Sequence, residues 1–592
     1  MARAARWCMF AVAVWPRRII AFGLALLAVA ALGALLAGAL APGGWTPAKL
    51  LLLAGFAGTA PWLGLGIANG LIGFAILLLA RDPVRAAFPA PLRDDGLPLP
   101  LALLVAIRSE AMGAVLPPLR ALLDGLDAAG AGGRVGLFLL SDTPAPATAE
   151  AAAVEAFRAA DPVPARIRYR RRASNAGYKA GNVMDALDHL ARDFALAVVL
   201  DADSRMTAAA VLRLAGILEG APRLGLVQQL AVGSPAAAAF PRLFQFGMRA
   251  GMRVWATGQG WWQGDEGPFW GHNAAFRIAP FRDHARLAPL PDGTPILSHD
   301  QVEAAQMRAA GWGVAVLPEE DGSFEENPPA LPEFLRRDTR WLAGNFQYRH
   351  LLLRPGFRPM GRWQLLQAIL LFAGAPFQAG MVALLAGLVA TRALVPVGPA
   401  HAAALAFAWV FGAYASKLLG YVQVMMSAPL RARYGGGRRF LLGAATEFGF
   451  SLLLDPIVQV SRTLAMLRGG RGHWAAQNRV GRRVGWAEAT HRLWPHTLLG
   501  VALFTALAAG SWRAALWLLP FAGGLPAAIP FAVLTAAPGF SAWLRRRRIA
   551  ATPEELQAAP IDSYFSSRHA AGSAAAASYQ AATSGKSRTA AQ

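Results

Sequence analysis

Charge is what this chain has least of for its size. Only 16% of its 592 residues are charged, against about 25% in soluble globular domains, which excludes an ordinary soluble enzyme as a description of the whole chain. Cysteine is nearly absent: Cys8 is the single one, so no internal disulfide forms and no oxidising compartment is implied. Acids are the minority among the charges, 35 against 57 Lys and Arg, for a formal net charge of +22. That excess taken alone points to a nucleic-acid or anionic-membrane partner, and its distribution decides between them. Residues 94–346 hold 28 of the acids and 24 of the bases, a net −4, while the remainder carries +26. A slightly acidic block therefore sits inside a basic, apolar frame, and no nucleic acid is expected.

The frame contains charge-free stretches: Ile19 to Ala48, Leu50 to Ala80, Trp363 to Thr391, Leu493 to Trp512 and Ala514 to Leu544. Ala393 to Leu430 is broken only by Lys417. Each is long enough for a transmembrane helix, which needs about 20 apolar residues. The first exceeds the apolar region of a signal peptide and is followed at once by a second, so a membrane hairpin is expected over residues 1–93. Arg3, Arg6, Arg17 and Arg18 precede it and Arg81, Arg85 and Arg93 follow it, with Lys49 alone at the turn. The positive-inside rule places both ends, and the block at 94–346, in the cytoplasm. Arg349, Arg354, Arg358 and Arg362 mark the return to the membrane; residues 347–548 are read as transmembrane and interfacial helices. Within them, Phe440 to Leu467 contains Glu447, Asp455, Pro456 and Arg462 between two basic flanks, which predicts an interfacial or re-entrant pair that returns to the side it left. A last hairpin is expected to end at Arg545 to Arg548, with residues 549–592 a tail, Ala/Ser-rich and disordered from about Ala558.

Inside the block, apolar runs at Leu101 to Ile107, Val135 to Leu140, Leu196 to Leu200, Leu224 to Leu230 and Val314 to Leu317 alternate with helix-length segments. This predicts a mostly parallel α/β sheet, with ligands beyond the carboxyl ends of its strands. Glu110 and Asp142 follow the first two runs, and Asp201-Ala-Asp203 follows the third. Acids at i and i+2 after a buried strand suit Mg²⁺ or Mn²⁺, which favour oxygen ligands and let substrate phosphates complete the shell; the alternative is a turn or cap. Lys179, in Lys-Ala-Gly181-Asn182 at a helix entry, suits a phosphate. The preceding run Arg166, Arg168, Arg170, Arg171 and Arg172 reads as a solvated basic strand. Asp300 in Ser298-His-Asp either caps a helix or faces a ligand. Arg337-Asp-Thr-Arg340-Trp341 offers cations for phosphate and an indole for a sugar.

In that order these motifs resemble the processive, membrane-embedded family 2 glycosyltransferases, whose last two motifs usually read Thr-Glu-Asp and Gln-x-x-Arg-Trp. The departures here, with Trp270-Gly271-His272-Asn273, Ile296-Leu-Ser-His-Asp, Arg308-Ala-Ala-Gly-Trp312 and Gly322-Ser-Phe-Glu325-Glu326, resemble the bacterial glucans biosynthesis glucosyltransferase H group over nearly the whole chain. Arg108-Ser-Glu110-Ala111 departs from that group's Asn-Glu-Asp type of sequence, which weakens the assignment of Glu110.

The resemblance implies a GT-A-type domain inserted between transmembrane hairpins of an inner-membrane protein. It implies UDP-glucose as donor and a β-1,2-glucan as acceptor, with membrane lipid and a periplasmic glucan-processing protein as further partners. Asp300 is then the base; Asp203, with Asp201, holds Mg²⁺ or Mn²⁺. Glu110, Asp142, Lys179, Asn182 and Asp201 bind the nucleotide sugar. Gly271, His272, Asn273, Arg337, Arg340 and Trp341 serve the diphosphate and acceptor. Two other readings stand beside it: a cellulose-like synthase, and an inactive transferase domain on a transporter or scaffold.

Overall fold

The protein was analysed as a computed structural model that describes residues 8–92, 99–469 and 481–556. Arg3, Arg6, Arg93, Asp94, Arg471, Arg479 and the tail beyond 556 lie outside the described residues.

The block is built on a seven-stranded sheet in the order β3-β2-β1-β4-β8-β6-β9. Its strands are β1 (Leu101–Ile107), β2 (Val135–Ser141), β3 (Ile167–Arg171), β4 (Leu196–Asp201), β6 (Leu224–Gln229), β8 (Ala274–Arg277) and β9 (Gly313–Leu317). A small second sheet holds β5 (Arg205–Met206), β7 (Val232–Gly233) and β10 (Ser323–Glu325). The five apolar runs all become strands because each is buried on both faces, as β1 and β2 are almost throughout. In the seven-stranded sheet pairing is parallel except at β8, which runs antiparallel to both β4 and β6. That reversal has a use: the start of β8 lies beside the end of β4, with Ala274 opposite Val199, so the loop feeding β8 meets the loop leaving β4.

Ten helices matter below: α1 (Cys8–Leu40), α2 (Pro47–Leu79), α3 (Tyr178–His189), α4 (Ala239–Gln263), α5 (Asp300–Ala309), α6 (Leu331–Gln347), α7 (Pro359–Ala390), α8 (Pro399–Met426), α9 (Gly437–Leu467) and α10 (Trp486–Gly510). Six of them, α1, α2 and α7 to α10, are long and apolar enough to cross a membrane. Apolar side chains such as Ile19, Leu26 and Phe407 stand exposed on them, as lipid contact requires. Lys49, the lone charge in the first hairpin's turn, is buried and donates to the carbonyls of Pro42 and Gly44, tying off the exposed end of α1.

The block is joined to the frame by α4. Its Gly258 lies against Gly73 of α2, where a Cβ on either glycine would strike the other helix's backbone. Trp262 donates from its indole nitrogen to Asn69 of α2 at 2.8 Å.

Three expectations for the frame change. Residues 437–467 form one uninterrupted helix, α9, where a re-entrant pair was expected. Its acids do not break it because each finds a partner in place: Glu447 accepts from Lys417 and Tyr421 of α8, and Asp455 from Tyr414. It does stay against the block, touching Phe246 of α4 through Phe440 and Asp338 of α6 through Arg462. The return arm read at Ala514 to Leu544 is three short helices, Trp512–Ala522, Ala528–Thr535 and Pro538–Arg546, divided by Gly523, Gly524, Pro526 and Pro538. Residues 549–556, assigned to the tail by composition, are packed under α4. Ile549 and Ala550 are buried there, and Glu554 meets Arg249 at 2.6 and 2.9 Å.

Candidate active site

A cavity of about 860 Å³ opens at the carboxyl ends of β1, β2 and β4 and runs on between the membrane helices. Glu110, Asp142, Lys179, Asp201, Asp203, Gly271, His272, Asp300, Arg337, Arg340 and Trp341 all line it. Asn182 and Asn273 do not. Asn182 is fully buried, donating to the Leu140 carbonyl and accepting from Arg170. Asn273 is fully buried as well, donating to Ser323 and Phe324, and so fixes the loop that carries His272.

The parallel edge supplies the donor end. Asp142 leaves β2 directly and is gripped by Arg172 through two hydrogen bonds of 2.8 and 2.9 Å. The arginine run is thus not merely a solvated strand: Arg172 holds a site acid, Arg170 meets Asp185, and buried Arg166 bonds both Asp127 and Asp161. The Arg166 contacts hold Asp127 below the usual carboxylate range. Lys179, one residue into α3, donates to Asp201 and to the Gly271 carbonyl, the latter at 2.6 Å, tying together three segments far apart in sequence.

The reversed strand supplies the middle. Gly271 has φ +86°, a conformation glycine adopts without strain, and the backbone here passes close to Asp300 and His299. His272 sits with Nε2 3.3 Å from Glu325, which β10 delivers by pairing with β7. Burial opposes its protonation, but Glu325 and Asp201 outweigh that and raise its pKa to about 9. Glu325 is correspondingly held below the carboxylate range, against its burial. An imidazolium therefore stands beside the two strand-end acids. Sequence reasoning gave Glu325 no role; its position at the end of a short strand in Gly322-Ser-Phe-Glu was the available signal.

Asp300 begins α5, so it is both the first helical residue and a cavity-wall carboxylate. The buried Tyr348 hydroxyl lies 3.0 Å from the Ser298 carbonyl, to which it donates, and 3.4 Å from Asp300. Burial first, and then the Asp300 charge, raise the Tyr348 pKa well above the ordinary range, so it remains a donor. From α6, Arg337 lays its guanidinium 4.6 Å from the centroid of the Trp341 ring, covering one face of that indole. Trp341 itself is 45% exposed.

The carboxylates fit a hard divalent cation. Asp201 and Asp203 are oxygen donors on one wall, and the described residues contain no group of three or more His, Cys, Asp or Glu that could hold a metal ion, so the chain would supply two carboxylates. Such a donor set leaves positions for phosphate oxygens and water, as Mg²⁺ and Mn²⁺ prefer.

Beyond the acids the cavity changes character. Trp62 and Gly66 of α2, Trp255 and Gln259 of α4, Gln364 and Gln367 of α7, and Tyr414 to Lys417 of α8 line its inner end. Aromatic faces with amide and hydroxyl groups between them are suited to a sugar chain.

Comparison with known proteins places this geometry. The family model described as glycosyl transferase family group 2 matches residues 196–421. A glucans biosynthesis glucosyltransferase H from Vibrio cholerae is 31% identical over 572 residues, covering 92% of this chain and 78% of the relative. One from Caulobacter vibrioides is 33% identical over 554 residues, covering 87% and 81%. Among solved structures, the mannosyltransferase PcManGT from Pyrobaculum calidifontis in complex with GDP-Man and Mn²⁺ aligns at 16% identity with a TM-score of 0.37, covering 65% of this chain and 98% of that one.

Proposed function

Since the chain belongs to the glucans biosynthesis glucosyltransferase H family, glycosyltransferases of family group 2 that act in glucan biosynthesis, we propose that it transfers glucose from UDP-glucose to a growing linear β-1,2-glucan. It does so from the cytoplasmic face of the bacterial inner membrane, and synthesis is coupled to export of the product. The observation that carries this reading is the single cavity: strand-end acids suited to a nucleotide sugar at one end, aromatic and amide side chains of membrane helices at the other.

Asp300 takes the proton of the acceptor hydroxyl as that oxygen attacks the anomeric carbon from the face opposite the diphosphate, so the product is β. Asp203, with Asp201, would hold Mg²⁺ or Mn²⁺, and the ion when bound would supply positive charge for the diphosphate leaving group. Lys179, Arg337, Arg340 and the His272 imidazolium supply further positive charge to that end, where burial makes it effective. Asp142, fixed by Arg172, faces the nucleoside, and Trp341 faces the acceptor. No separate acid is needed because the leaving group departs as an anion.

The test is incubation of the purified full chain with a panel of UDP-sugars and Mg²⁺ or Mn²⁺, followed by linkage determination. A β-1,2-glucan made only from UDP-glucose supports the reading. A β-1,4 product would turn it to cellulose-like synthesis, and no turnover of any nucleotide sugar would turn it to an inactive scaffold. Asp300→Asn is expected to bind donor and lose transfer; unchanged activity would remove Asp300 as base.

A further inference from the structure

His299 precedes Asp300 and occupies the first position before α5, yet its side chain makes no capping hydrogen bond. Its Nδ1 lies 2.7 Å from Glu303, one turn along the same helix, and Glu303 is buried. The carboxylate thus fixes the ring by one nitrogen. The ring's other edge lies beside Gly271, where an added Cβ would stand 3.7 Å from Nε2 and 3.6 Å from the Cβ of Asp300. His299 and Asp300 both line the cavity. Phe269 meets the ring in a T-shaped contact at 6.5 Å, so packing as well as charge holds it.

We propose that His299, tethered by Glu303, is a substrate-binding residue whose Nε2–H donates a hydrogen bond to a hydroxyl of the glucosyl unit being transferred, next to the carboxylate that takes the acceptor's proton. This rests on the glucosyltransferase reading above and adds a contact to it. A neutral ring bonded to Glu303 through Nδ1–H would present a bare nitrogen to the cavity; only the doubly protonated ring presents a donor. The charged groups facing it favour that form. Burial opposes protonation, but Glu303 and then Asp300 raise the pKa above its ordinary 6.5, with Lys179 of α3 opposing. The donor form is therefore held to a higher pH than in a free imidazole and is lost as pH rises through the folded-state value.

The test uses the full chain in detergent, with UDP-glucose KM and kcat measured from pH 6 to 9 for wild type, His299→Gln and Glu303→Gln. His299→Gln is expected to raise the donor KM about tenfold, the worth of one charge-assisted hydrogen bond, while kcat changes less. Glu303→Gln is expected to bind donor normally at pH 6 and to lose affinity at a lower pH than wild type, because its imidazole gives up the proton earlier. A ring that is only structural would lower the melting temperature without moving the pH dependence of KM. Donor KM values equal to wild type in both variants across that range would overturn the proposal. His272, which also titrates on the alkaline side, is unchanged in both variants.

A second readout does not depend on turnover. In ¹³Cε1-histidine spectra the resonance missing from His299→Gln should titrate above the ordinary 6.5 and move on addition of UDP-glucose. A titration at or below 6.5, or no response to UDP-glucose in a protein that binds it, would overturn the proposal. Failure of the wild type to bind or turn over UDP-glucose would instead strike the functional reading.

Discussion

Arg462 of α9 holds Asp338 of α6 through two hydrogen bonds, at 2.7 and 2.8 Å, with the carboxylate nearly buried. Asp338 lies between Arg337 and Arg340 in the segment that ends the cavity wall, so a membrane helix fixes the rotation of the helix that presents both arginines and Trp341.

Breaking such a pair from one side leaves a buried charge unpartnered, which costs about 3–5 kcal/mol, whereas removing both partners costs far less. Asp338→Asn and Arg462→Gln are each expected to lower the unfolding midpoint in detergent and to reduce transfer, and the double variant to recover much of both. Additive losses in a double-mutant cycle would show that the pair is not coupled.

Lys179 and Asp201 set the terms for metal dependence. Asp201 meets Lys179, and Asp203 on the same wall is expected to share the cation with it. Chelation should abolish transfer, and Mn²⁺ or Mg²⁺ should restore it. Asp203→Asn should lower activity at least a hundredfold at cation levels that saturate the wild type. Activity that survives chelation would sink this assignment.

Much of this site was legible because chemistry in an α/β sheet collects at strand ends. Asp142, Asp201 and Asp203 were located by the apolar runs that precede them. What could not be read were contacts that depend on a strand reversal. β8 is four residues with no alternating pattern, yet its antiparallel insertion brings Gly271 to Lys179 and His272 to Glu325. The frame failed differently. Glu447 and Asp455 read as signs of a broken span because their partners Lys417, Tyr421 and Tyr414 lie about thirty to forty residues earlier in sequence. Composition records a charge but not its partner.

The His272–Glu325 pair makes a pH prediction. The folded-state pKa of His272, about 9, lies above its ordinary 6.5. Its contribution to stability is therefore fully present below about pH 6.5 and lost as pH rises through about 9, on the order of 3 kcal/mol in all. The melting temperature of the wild type should fall across that interval more than that of His272→Gln. Parallel curves for the two would show that the imidazole is neutral in the folded protein.

Gly66 decides whether the inner end of the cavity carries product. An added Cβ would sit 3.6 Å from the Gly412 carbonyl oxygen and 3.8 Å from the Trp255 ring, ordinary contact distances, so Gly66→Ala should behave as wild type. A tryptophan there has no room except the cavity itself, which Gly66, Gly412 and Trp255 all line. Gly66→Trp is expected to leave UDP-glucose binding within about threefold, since the acids lie on the block, while glucan chains become shorter and fail to enter the lumen of inside-out vesicles. The split matters more than the loss: a variant that bound donor and made full-length glucan would separate the cavity's membrane end from the path of the polymer. One that lost donor binding as well would show that α2 acts on the site through α4, by the close contact of Gly73 with Gly258.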